Sequence, residues 1–151
     1  MKEVKKPAFI LVLTLIPLLT LTQATYPLTI TKVETKDYTG VPKTSFRRGE
    51  IAVIETEVSA PAAYYYAQFP LDYLQIITLW HGPSMLGLLM TRTKISAGET
   101  KSFGGGIGIR LTDPIGTYGI EVYVWNGFPS EKGAAWTPLA PARTTSITVT
   151  G

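Results

Sequence analysis

A chain of 151 residues with no cysteine and a formal charge of +3 excludes thiolate metal sites, thiol catalysis and a disulfide framework. Three lysines and one glutamate fall within the first 24 residues, which leaves +1 of that +3 to the remainder. The basicity therefore belongs to the leader, and nucleic acid is excluded as an expected partner.

Lys2, Lys5 and Lys6 form a positive n-region, Ala8 to Thr22 is almost wholly apolar, and Thr22-Gln23-Ala24 ends in a small residue. This is the pattern of a signal peptide over residues 1–24, cut after Ala24. An uncleaved membrane anchor through residues 8–22 is the rival reading, but roughly 15 apolar residues broken by Pro17 fall short of the ~20 that span a bilayer. A pilin-type leader cut before Phe9 is a third, opposed by Pro7-Ala8 and by the kink Pro17 would impose. The expected location is secreted or on the extracellular face of the cell membrane. Residues 25–151 are long enough for one domain with its own core. With a single asparagine, Asn126, three glutamines and eleven prolines, the chain avoids thermolabile side chains and stiffens its loops, which points to a hot or acidic habitat. Asn126 is followed by Gly127-Phe128 and makes no glycosylation sequon.

The mature chain is punctuated as an all-β protein. Leu28 to Tyr38 is predicted as a first strand, ended by the turn Tyr38-Thr39-Gly40-Val41-Pro42. Phe46-Arg47-Arg48-Gly49-Glu50 is read as a tight turn into Ile51 to Ser59, where Ala52, Ile54 and Val58 share one face and Glu55 and Glu57 the other. A short aromatic strand is expected over Tyr64 to Phe69, then Tyr73 to Trp80, with Leu74, Ile76 and Trp80 on one parity, and Met85 to Ile95. Ser96-Ala97-Gly98-Glu99 repeats the Gly-Glu turn before Lys101 to Leu111, whose Gly104, Gly105, Gly106 and Gly108 predict a bulge or an edge strand. They miss the dinucleotide fingerprint because Ile109 stands where its last glycine belongs. Gly116 to Trp125 is predicted as the penultimate strand, with Tyr118 as a structural tyrosine corner. Asn126 to Pro138 is a long loop and Thr144 to Thr150 closes the domain. The sum is a single antiparallel β-sandwich of about seven to eight strands.

Catalysis finds little support. His81 is the sole histidine, Ser84 is too near it in sequence to build a triad, and there is no nucleophile elbow. His81 with Met85 and Met90 around copper is weaker than a loop histidine beside core methionines. Glu55 and Glu57, with Asp37 or Asp113, lack a calcium-loop spacing and read as a solvated strand face. No catalytic residue, metal ligand or cofactor is assigned.

Aromatic residues are the candidates for contact. Three consecutive tyrosines, Tyr64, Tyr65 and Tyr66, cannot all face one side of a strand. Tyr123 and Trp125 are opposite in parity to Ile120, Val122 and Val124, so they point outward, and Trp136 lies in the long loop. Exposed rings of this kind suit a protein interface or stacking on sugars; the alternative is that the loop bearing Trp136 covers them.

The series Phe46-Arg-Arg-Gly-Glu, Ser96-Ala-Gly-Glu, Gly116-Thr-Tyr before Ile-x-Val-x-Val-Trp, Leu139 and Ile147-Thr-Val resembles the Ig-like sandwich modules of archaeal exported and surface-layer-associated proteins. It is similar also to the CARDB family of cell-adhesion-related domains and to fibronectin III-like modules. The resemblance covers residues 28–150 and implies a non-enzymatic spacer, adhesion or assembly unit. The expected function is a secreted or cell-surface module with a structural or adhesive role, whose partners are other surface proteins or copies of itself. One alternative is a filament subunit that donates Thr25 to Thr35 as a strand to its neighbour. Another is a carbohydrate-binding accessory domain that meets polysaccharide.

Overall fold

The structure, a computed structural model of the chain, describes residues 26–63 and 67–151. The leader expected over residues 1–24 and the three tyrosines Tyr64, Tyr65 and Tyr66 lie outside the described residues. Eight strands follow in order: β1 (Thr29–Lys36), β2 (Ser45–Arg47), β3 (Ile51–Ser59), β4 (Leu71–His81), β5 (Ser84–Ile95), β6 (Thr100–Gly108), β7 (Gly116–Trp125) and β8 (Arg143–Thr150). They make a three-stranded sheet, β1-β3-β6, packed on a five-stranded sheet, β2-β8-β7-β4-β5. The chain is an all-β sandwich. Every pairing is antiparallel except β2 with β8, where three residues run parallel.

Both Gly-Glu turns are built the same way, which explains the recurrence in sequence. Gly49 and Gly98 sit at φ +88° and +73°, where a side chain would be strained. In each turn the glutamate carboxylate reaches back three residues to accept a backbone N–H, from Arg47 to Glu50 and from Ser96 to Glu99, both at 2.7 Å. Those bonds hold the Glu50 and Glu99 carboxyls below their ordinary range, together with Lys43 for Glu50 as its leading cause. The turns differ from the sequence reading in one respect. Phe46 is the centre of β2, buried in the core, and the turn proper begins at Arg47.

Three further boundaries differ from expectation. Ala67 to Pro70 is irregular and is not part of a strand. β6 ends at Gly108, because Ile109 turns to exchange backbone hydrogen bonds with Gly49 and Glu50. The long loop after β7 contains a one-turn helix, α1 (Pro129–Lys132), and a 3-10 turn over Gly133–Ala135. Among the described residues no helix is long and apolar enough to cross a membrane.

The core lies between the sheets. Ala52, Ile54, Thr56 and Val58 of β3 and Tyr118, Ile120, Val122 and Val124 of β7 all face inward and are fully buried. The Tyr118 hydroxyl donates to the Pro114 carbonyl, tying β7 to the loop before it, and burial raises its pKa. In β4 the inward set is Tyr73, Ile77 and Leu79. Leu74, Ile76 and Trp80 share one parity as expected, but they occupy the outer face. A bulge at Thr31 reverses the parity of β1, so Leu28 and Ile30 enter the core while Lys32, Glu34 and Lys36 face out. The first residues of the expected filament donor thus complete this chain's own core.

Where the two sheets meet at β5 and β6, glycine sets the spacing. A Cβ on Gly87 would lie 2.5 Å from Ile107 Cγ2, and one on Gly105 would lie 2.7 Å from Leu89 Cδ1. The glycine run accordingly forms an edge strand with continuous register, and the bulge alternative is not what the chain adopts.

Candidate functional site

The outer faces of the two sheets have opposite chemistry. On the three-stranded sheet, register places Glu34 opposite Glu55, a repulsive arrangement that two lysines resolve. Lys32 Nζ lies 3.1 Å from Glu34 and 2.9 Å from Glu55, and Lys36 Nζ lies 3.2 Å and 2.6 Å from the same two carboxylates. Hydrogen bonds from Lys36 and then Lys32 push the Glu55 carboxyl down to about 2, and the pairing raises both lysines. Glu55 and Glu57 are therefore part of an ion-pair network. Asp37 caps its turn by accepting from Thr39 and Val41, and the buried Asp113 accepts from Arg110. Among the described residues no group of three or more acidic or histidine side chains converges as a metal site.

The five-stranded sheet presents an apolar patch on its outer face, over β4, β5 and the neighbouring part of β7. Register aligns Trp80 with Met85, Thr78 with Leu88 and Glu121, and Ile76 with Met90 and Tyr123. Met85, Leu88 and Met90 are 49%, 44% and 50% exposed, which corrects the expectation that these methionines belong to the core. Trp80 and Ile76 are half-buried beside them. The polar tips of its two large rings are already occupied. Trp80 Nε1 donates to Thr78 Oγ1 at 2.8 Å, and the Tyr123 hydroxyl donates to Glu121 Oε2 at 2.6 Å, a bond that raises the tyrosine's pKa. What this patch offers a partner is ring surface, methyl groups and thioether.

At one end this face is closed by the loop after β7. Trp136 stacks on Trp125 with centroids 3.8 Å apart and planes 12° from parallel, and its Nε1 donates to the Gly127 carbonyl. Asn126 braces the loop by donating to the Ala135 carbonyl and accepting from the Thr137 N–H. Glu131 of α1 pairs with Arg92 of β5 at 2.8 Å. Between Arg92 and Trp125 in register sits Leu74, only 1% exposed although it faces away from the core. The loop makes a small second apolar cluster there.

Tyr123 and Trp125 thus point outward together on β7. Trp136 comes from the loop to cover Trp125, and Tyr123 remains beside the open patch. Tyr118 lies in the interior, where the His81 ring tilts over it at 5.0 Å. Sequence reasoning missed Ile76, Trp80, Met85, Leu88 and Met90 as one surface. The alternation Met85, Leu88, Met90 was hidden by a bulge at Leu86, which the register between β4 and β5 reveals.

No protein-family model matches the chain, and no curated protein matches it in sequence. Among solved structures it is similar to the C-terminal domain of Wzt, with a TM-score of 0.60 at 14% identity over 84% of this chain and 75% of that one. It is similar to a β-glucuronidase of Bacteroides uniformis, with a TM-score of 0.60 at 15% identity over 81% of this chain but 14% of the enzyme. A CARDB domain from Pyrococcus furiosus, solved in complex with di-metal ions, aligns with a TM-score of 0.50 at 14% identity over 85% of this chain and 97% of that domain. At these identities the likeness carries the fold alone. It agrees with the expected resemblance to CARDB at the level of a β-sandwich module.

Proposed function

We propose that this protein is a non-enzymatic β-sandwich module of the cell surface or secreted space, archaeal in origin, that acts by protein contact through the outer face of its five-stranded sheet. The observation that carries this reading is the contrast between the two outer faces. One is an ion-pair network over a glycine strip; the other is apolar around Ile76, Trp80, Met85, Leu88, Met90 and Tyr123. Contiguous exposed apolar surface on a small domain marks an interaction site. Trp80 Nε1 and the Tyr123 hydroxyl are internally bonded, so the rings of the patch present apolar surface rather than polar tips to a partner, which favours protein over polysaccharide. Similarity to a small part of a glycosidase is consistent with a module that does no chemistry of its own.

A photo-crosslinking residue at position 88 on the apolar face, compared with one at position 102 on the opposite sheet, tests this in intact cells. Adducts to protein from position 88 alone are expected. Equal labelling from both faces, or none from position 88, overturns the reading.

A further inference from the structure

We propose that two copies of this chain pair through β5, antiparallel edge to edge, joining their five-stranded sheets into one continuous sheet. This rests on the reading of the outer face as a contact surface and names the partner that meets its rim.

The sandwich has four sheet edges, and three are blunted by recognisable means. β1 carries Lys32 and Lys36 and a bulge at Thr31, and Arg143 of β8 donates to its Thr31 carbonyl at 3.2 Å. β2 is three residues long. β6 is a glycine run that offers a partner almost no side-chain contact. β5 is the exception. It is 12 residues long, and no described residue pairs with its outer edge. From Met85 to Thr91 it has neither a charge nor a proline. Along that run stand Met85, Leu88 and Met90, each about half exposed at the rim, where a flanking strand would cover them.

Charge fixes the orientation. The basic residues of β5 are Arg92 and Lys94, both near its C-terminal end. A parallel arrangement would set each against its own copy. A two-fold axis at Leu89 instead places Arg92 against Leu86 and Lys94 against Ser84 of the second copy, both uncharged, and sets Leu88 of each copy against Met90 of the other. Such an interface is isologous and closes at the dimer. Edge pairing buries less than a standard interface, so a dissociation constant of about 1–100 μM is expected.

The absence of cysteine makes the test clean. The protein, purified as its host processes it, is compared by sedimentation with the double variant Leu88→Lys, Met90→Lys, and the single-thiol variants Met90→Cys and Ser102→Cys are treated with a short bismaleimide. The expected result is a wild-type dimer, at least a tenfold weaker association in the double variant with an unchanged thermal midpoint, and covalent dimer from Cys at 90 but not at 102. A wild type that stays monomeric at about 100 μM, with no crosslink from position 90, overturns the pairing. If position 88 still photo-crosslinks to a different surface protein, self-pairing alone fails; if it labels nothing, the contact-surface reading fails with it.

Discussion

Gln75 reaches across the core to Thr56: its Nε2 donates to the threonine hydroxyl, joining β4 of one sheet to β3 of the other, with both residues fully buried. The hydroxyl in turn donates to the Phe103 carbonyl at 3.2 Å. A polar bridge in an otherwise apolar core ties the sheets in one relative position. Replacing Thr56 with Val strands the amide of Gln75 and is expected to cost about 1–3 kcal/mol, whereas the pair Thr56→Val, Gln75→Leu, which removes both partners, should lie near wild type. Chemical denaturation of the two single variants and the double closes the cycle, and additive losses would disprove the coupling.

The stack of Trp136 on Trp125 holds the loop over Leu74. Trp136→Ala should lower stability by about 1–3 kcal/mol through lost ring contact and exposure of Leu74. It should also abolish the exciton signal that two stacked indoles give in circular dichroism. Retention of that signal would show that the loop is not held this way.

Acid should dissolve the charged face before it dissolves the core. A carboxyl held at about 2 in the folded chain, against an ordinary 4.5, contributes stability that is present in full above pH 4.5 and is lost as pH falls towards 2. The thermal midpoint of Glu55→Gln should therefore sit below wild type at neutral pH by no more than a few degrees, since the network is solvent-exposed. The two should converge as pH approaches 2. Added salt should narrow the gap at neutral pH, and a constant gap down to pH 2 would refute the linkage.

Glycine positions in and beside the seam should rank by what a methyl group would strike. Gly87→Ala meets the branched Cγ2 of Ile107, which cannot swing away, and is expected to cost about 1–3 kcal/mol. Gly105→Ala meets the mobile end of Leu89 and should cost less. Gly104→Ala, whose Cβ has only the Ile54 carbonyl at 3.9 Å, should be neutral or stabilise by up to about 1 kcal/mol through the unfolded chain. Thermal melts of the three variants give the order, and a destabilised Gly104→Ala would break it.

Local pattern carried most of the strand map. β3 and β7 were legible to the residue because each has one buried and one wetter face, so alternation alone declares both the strand and its inward side. β4 was legible as a strand but not in its facing. It lies between β7 and β5 with Leu74 covered on the outside by a loop, so both parities are apolar and the sequence contains no sign to choose between them. Phe46 was read as part of a turn because three residues are too few to show a period, and only its parallel pairing with β8 makes β2 a strand.

The sequence by itself determined the all-β class, the Gly-Glu turns and the outward direction of Tyr123 and Trp125, since each follows from spacing, φ preference or alternation within a few residues. Tertiary structure decided which aromatic ring is covered and which surface is open. Trp136 finds Trp125, and the bulge at Leu86 puts Met85, Leu88 and Met90 on the outer rim. Both outcomes depend on register between strands distant in sequence, and side-chain period alone carries no information about which strand lies next to which.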